Sequence, residues 1–102
     1  MSIFGNPVGA ALQTLKKITC TAAIPLSGWN EHTQRVAVPG VTQTNTVLVT
    51  PGTECFTAYI DANVRCVSQA EGALVFACEE LPQTDVTANI LILTDGGDAN
   101  GI

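Results

Sequence analysis

The sequence predicts a mainly β fold: a small antiparallel β-sandwich or barrel with a short N-terminal helix and a short helical insertion. Three observations carry this expectation. From residue 18 onward Thr and Val dominate, the residues that fit a pleated, half-buried surface. Turn pairs recur at regular spacing, at Ser27-Gly28, Pro39-Gly40, Pro51-Gly52, Glu71-Gly72 and Leu81-Pro82. The chain of 102 residues, 46% of them hydrophobic, accommodates one domain and one core and is too apolar for intrinsic disorder.

Residues 1–17 read as an assembly or attachment segment. Asn6 can cap a helix, Pro7 fits the first turn where its missing N–H costs nothing, and Lys16 and Lys17 suit the negative end of the dipole. A helix near 7–17 places Val8, Ala11, Leu15 and then Ile18 at coiled-coil seam spacing, with Leu12 beside it. A helix this short is marginal alone. It therefore packs either on its own domain or on copies of itself around a symmetry axis.

The β domain is expected over residues 18–94. Strands are placed at 18–26, 34–38, 45–50, 63–70, 73–79 and 86–94. Between the third and fourth, TECFTAYIDAN sets Cys55, Tyr59, Phe56 and Ile60 at helical spacing, predicting one or two turns that plug an end of the sheet. A three-residue loop at 71–73 would set Cys66 opposite Cys78, so a cross-strand disulfide and two buried thiols both stay open. The last strand, ANILIL, is apolar on both faces, where a half-solvated strand alternates. One of those faces is expected to meet a neighbouring subunit. Residues 95–102 form an acidic, Gly-rich tail.

Charge narrows the function classes. Nine acids against four bases give a net charge of −5, the wrong sign for a nucleic-acid binder. Residues 1–30 carry only Lys16 and Lys17, and all nine acids follow. Charged residues make up 13%, about half the usual quarter of a soluble chain, so much of the surface is expected to meet another subunit. No stretch has the length of a membrane span or the grammar of a signal peptide, which predicts a protein made in the cytoplasm without a membrane partner.

No catalytic, cofactor or metal site is expected. Cys20, Cys55, Cys66 and Cys78 lack the paired spacing of a zinc module and read as small hydrophobes. A triad of a cysteine, His32 and Asp61 can be written down, but His32 reads more simply as a solvated loop residue. Glu79 and Glu80 are adjacent and point to opposite sides of a strand. The tail DGGDANG imitates a calcium loop, yet Gly97 stands where a ligand is needed. Trp29, beside Asn30, Glu31 and His32, is either a lid on the core or, with Tyr59, a stacking platform for a sugar.

From Gly28 to Leu93, about two thirds of the chain, the order of pieces resembles a known module. The pieces are Gly28-Trp29, VAVPGV around Pro39-Gly40, the exit Val47-Leu48-Val49-Thr50-Pro51, Val64-Arg65-Cys66 with Gln69-Ala70, and Leu81 to Leu93 with Thr87 and Asn89. The order is similar to that of a small β-rich fibre-type or virion structural module found in prophages of Gram-positive gut bacteria. The resemblance implies a non-enzymatic bacteriophage virion protein: a head decoration, head fibre or tail-fibre knob. Its implied partners are its own copies in a homotrimer and other capsid or tail proteins, with host attachment as an added role. The alternative is a carbohydrate-binding module that takes a host-surface glycan through Trp29.

Overall fold

The computed structural model describes residues 16–94. Six strands form two antiparallel three-stranded sheets. They are β1 (Lys16–Ile24), β2 (Thr33–Ala37), β3 (Thr46–Pro51), β4 (Arg65–Ala70), β5 (Ala73–Ala77) and β6 (Val86–Thr94). The first sheet has the order β1-β6-β3 and the second β2-β5-β4. One short helix, α1 (Phe56–Asp61), follows a 3-10 turn at Thr53–Cys55. A second 3-10 turn, Leu26–Gly28, follows β1.

Alternation along β6 sets the core. Val86, Ala88, Ile90 and Ile92 are buried in succession, while Thr87, Asn89, Leu91 and Leu93 point the other way. The register carries this inner face into Ala22 and Ile24 of β1, and into Val47 and Val49 of β3, which are partly buried. The second sheet contributes Val36, Leu74 and Phe76, the last two fully enclosed. All belong to one cluster with Val38, Val41, Tyr59, Ala62, Val64 and Cys78.

The two ends of the domain are built differently. At the upper end, where β1 starts and β6 finishes, the backbone of Val38 donates to Gly72 and that of Gly72 donates to Val41. Gly40 and Gly72 have φ of 99° and 75°, a left-handed backbone that an L side chain resists. At the lower end α1 covers the core. Its C-terminus is closed by Val64 N–H donating to the Tyr59 carbonyl, with Asn63 at φ 53°.

Three expectations are corrected. Lys16 and Lys17 do not end a helix: they open β1, opposite Thr94 and Leu93. A cross-strand ladder satisfies their backbone, which outweighs the weak tendency of a short segment to stay helical. Ile18 likewise sits opposite Ile92 on the inner face of the sheet, 39% exposed, and not on a helical seam. The rest of the expected helix, with Val8, Ala11, Leu12 and Leu15, lies outside the described residues, as does the tail 95–102. Finally, Cys66 faces Phe76 and not Cys78, because the hairpin turns on Glu71-Gly72 and the ladder shifts at Val67. Val67 is an extra residue, a β-bulge between Cys66 and Ser68. All four cysteines are free thiols.

Candidate assembly surface

Residues pointing away from the core on the first sheet follow from the register. They are Lys17, Thr19, Thr21 and Ala23 of β1, Thr87, Asn89, Leu91 and Leu93 of β6, and Thr46, Leu48 and Thr50 of β3. Of these eleven side chains one is charged, Lys17. A solvated sheet face ordinarily carries charges of both signs. Here Thr hydroxyls and apolar groups take their place. Leu48 stands opposite Leu91 and is 52% exposed. The Thr21 hydroxyl donates to Asn89 Oδ1 at 3.2 Å, and Asn89 Nδ2 donates to the Pro51 carbonyl at 3.5 Å. Asn89 thereby ties the three strands together from outside.

Leu48 also borders a second feature. Among the described residues β3 ends the first sheet and β4 ends the second, and no hydrogen-bonded ladder joins them. Between their free edges runs a groove of about 530 Å³, floored by Val47, Val49, Tyr59 and Cys66 and rimmed by Leu48, Ile60 and Val67. The three rim residues are 52%, 51% and 52% exposed. Arg65 is the one charged residue in the lining, and its guanidinium donates to the Asn63 carbonyl at 2.9 Å. At the upper end Gln69 crosses the gap: its Nε2 donates to the carbonyls of Thr42 at 2.7 Å and Asn45 at 2.9 Å. Sheet face and groove form one surface that is nearly free of charge, continuous through Leu48.

The acids lie elsewhere. Of the seven acids among the described residues, Glu31, Glu54, Asp61, Glu79, Glu80 and Asp85 fall in the segments that build the lower end, and Glu71 stands in the β4–β5 turn at the upper end. Asp85 accepts from the Leu26 backbone at 2.7 Å, and the backbones of Glu79 and Glu80 donate to the Ala62 carbonyl at 2.9 and 3.4 Å. Among the described residues no group of three or more His, Cys, Asp or Glu is arranged to hold a metal ion.

The remaining sequence candidates are placed as follows. Trp29 is partly buried against the core, with its indole N–H enclosed and without a partner among the described residues. Tyr59 is 4% exposed and has no open ring face to offer as a platform. Burial, with the Cys66 and Cys55 thiols nearby, pushes its phenol up to about 12. Phe56 and Ile60, set at helical spacing with Tyr59 in the sequence, point outward. His32 sits with Glu31 at the tip of a two-residue turn, both at positive φ, and its carbonyl accepts from the Cys78 backbone at 3.0 Å. Burial raises the thiol pKa of both Cys66 and Cys78, the opposite of what an activated nucleophile requires. The Cys55 sulfur is occupied locally, accepting from Thr87 N–H at 3.2 Å.

Comparison with protein-family models, with curated proteins and with solved structures found no match to the chain. A nearly charge-free surface such as the one around Leu48 is of the kind on which macromolecules meet. The sequence reading anticipated one part of it, the second face of ANILIL, and missed the groove. A signal was present: Val47-Leu48-Val49 is apolar at three consecutive positions of a strand, so at least one of them had to point away from the core.

Proposed function

We propose that the chain is a structural protein of a bacteriophage particle, a head decoration, head fibre or tail-fibre knob, that acts as a homotrimer and performs no catalysis. In this reading the two sheets pack face to face as a sandwich, the N-terminal segment attaches the subunit to the particle, and the acidic lower end faces solvent. The observation that supports it is the nearly charge-free surface centred on Leu48 and Leu91. An exposed apolar patch of this kind marks a contact between macromolecules. The size argument agrees. Three strands spaced about 4.8 Å and rising about 3.3 Å per residue over nine residues offer about 400 Å² of flat face, roughly half of what each partner buries in a standard interface. The adjoining groove extends that area, and closed cyclic symmetry would cover it in every subunit.

Light scattering coupled to size exclusion tests the assembly. A trimer has about three times the 10.6 kDa of one chain, and Leu48→Asp should reduce it to the single-chain mass without unfolding, since the side chain is half exposed. A wild-type mass near 10.6 kDa at micromolar concentration overturns the trimer. Attachment is tested by adding the full chain, or a chain lacking residues 1–15, to particles that lack the protein. The cut falls before Lys16 because β1 begins there. Equal decoration by both forms removes the N-terminal role. The glycan alternative predicts binding to cell-wall polysaccharide that is lost in Trp29→Ala, but the partly buried Trp29 and the enclosed Tyr59 give it no support.

A further inference from the structure

The lower end carries a second groove, apart from the surface around Leu48. It runs between the helical insertion and the segment 80–85 that leads into β6. Its two parts, of about 540 and 360 Å³, share Thr57, Ala58 and Thr84 and so form one cleft. Helical spacing builds one wall. Glu54, Thr57, Ala58 and Asp61 follow at steps of three, one and three through the 3-10 turn and α1, which sets them on one face. The other wall runs from Glu80 through Leu81 and Pro82 to Asp85. Backbone contacts hold it in place: Glu80 N–H donates to the Ala62 carbonyl at 3.4 Å, and Leu26 N–H donates to Asp85 Oδ1 at 2.7 Å.

Both walls follow the same pattern, a carboxylate at each end and uncharged residues between. Asp61 and Glu80 line one part of the cleft, Glu54 and Asp85 the other. None of the chain's four bases lines either part. The middle is small and mainly apolar, with Ala58 and the buried Pro82, while Phe56 and Leu81 stand half exposed at its two sides. Seven helical residues from Glu54 to Asp61 separate the acidic pairs by about 10 Å, at roughly 1.5 Å each. An extended polypeptide covers that distance in about three residues, at roughly 3.3 Å each. The exposed Phe56 and Leu81 suit the aliphatic stem of a lysine or arginine whose charged head reaches a carboxylate.

We propose that the cleft between α1 and residues 80–85 is a docking site for an extended segment of a partner protein that carries two basic residues three positions apart, with uncharged residues between them. One cationic head meets Asp61 and Glu80, and the other meets Glu54 and Asp85. Charge complementarity selects this occupant: an acidic segment is repelled at both ends, and a segment with one base satisfies only one of them. The trimer proposed for the chain leaves this lower end facing solvent, so docking and subunit contact use different surfaces and neither depends on the other.

The test is fluorescence anisotropy of the full chain with a labelled octapeptide whose lysines stand at its third and sixth positions, separated by valine and alanine, with glycine and serine elsewhere. Saturable binding with a dissociation constant below about 1 mM is expected. Placing the two lysines side by side should weaken it about fivefold, the loss of one exposed ion pair. Glu80→Gln should weaken it by a similar factor, about fivefold, at an exposed position whose backbone holds the segment in place. Glu71→Gln removes the same charge from the upper hairpin turn and should change nothing. Circular dichroism of both variants should match the wild type, since both side chains are exposed. Absence of binding at about 1 mM would overturn the proposal. So would equal affinity for the two peptides, or equal weakening by Glu71→Gln and Glu80→Gln, which would reduce the effect to general attraction toward a chain of net charge −5. The readout is the same for a trimer or a single chain, so a failed trimer leaves the docking test intact.

Discussion

Glu31 and His32 occupy the two central positions of the turn that opens β2, with φ of 53° and 75°. Asn30 and Thr33 exchange backbone hydrogen bonds across it at 2.8 and 3.1 Å. Two positive φ values in a two-residue connection suit Asn-Gly, and other residues hold them at a cost. Replacing Glu31-His32 by Asn-Gly should therefore stabilise the domain by about 1 kcal/mol, read as a higher urea midpoint at unchanged slope. A lower midpoint would show that the native side chains make contacts that outweigh the strain. Tyr59 gives a second expectation at this scale. Its phenol is held up at about 12, above the ordinary value of 10.0, so the folded state keeps a proton that the unfolded state releases first. The associated stability is complete below pH 10 and falls as pH rises toward 12. The chain has one tyrosine, so absorbance near 295 nm follows this group alone. A transition centred near pH 10 would refute its burial.

At the level of strands and turns, β5 is the central strand of the second sheet, and Phe76 on it is fully enclosed between Gln34 and Cys66. Phe76→Ala should cost about 3–5 kcal/mol, enough to unfold much of a domain whose whole stability is about 5–15 kcal/mol. Circular dichroism with thermal melting would show it, and a melting temperature within a few degrees of wild type would contradict the packing described. The six strands were legible in the sequence because their Val- and Thr-rich runs end at turn residues whose chemistry is local. The insertion at 53–62 was legible as helical, but its buried side was not. Tyr59 turns inward while Phe56 and Ile60 stay out, a choice made by where β3 and β4 happen to leave room. The hairpin register was misjudged twice over: the turn takes two residues, Glu71-Gly72, where three were expected, and the bulge at Val67 adds a further shift that has no signature, since Val is an ordinary strand residue and the extra position is fixed by pairing with β5. Lys16 and Lys17 show the same limit from the other side. Their strand exists only because β6 runs on to Leu93 and Thr94 and offers them a ladder.

Across the described residues as a whole, charge is segregated: six of seven carboxylates lie at the lower end, the seventh, Glu71, stands in the upper hairpin turn, and the sheet face and the groove around Leu48 hold none. The low charge content of the chain thus shows itself as one continuous surface. That surface was only half legible, since a two-faced strand can be read from its residues but a gap between two sheet edges arises from topology. Segregation has a measurable consequence for any assembly that brings lower ends together. Their mutual repulsion is screened within about 8 Å at physiological salt, so association should strengthen from 10 to 300 mM NaCl if acidic ends meet. It should change little if contact runs through the sheet face. Sedimentation velocity across that salt range decides between the two geometries, and strong salt dependence would argue against the surface around Leu48.

The pairing of Lys16 with Thr94 also determines how the domain bears load. The described chain enters and leaves side by side, on neighbouring strands at one end of one sheet. Tension applied between those two points pulls β1 away from β6 sideways, so the hydrogen bonds are stretched one pair after another and never share the force. A domain pulled this way peels open at low force, whereas the same ladder pulled lengthwise would resist with all its bonds at once. In single-molecule stretching the domain should yield at a small fraction of the force needed when the handles are placed at Lys16 and Val86, which lie on neighbouring strands at opposite ends of the ladder. A subunit moored through one end alone escapes this weakness, because no tension then passes through the β1–β6 ladder.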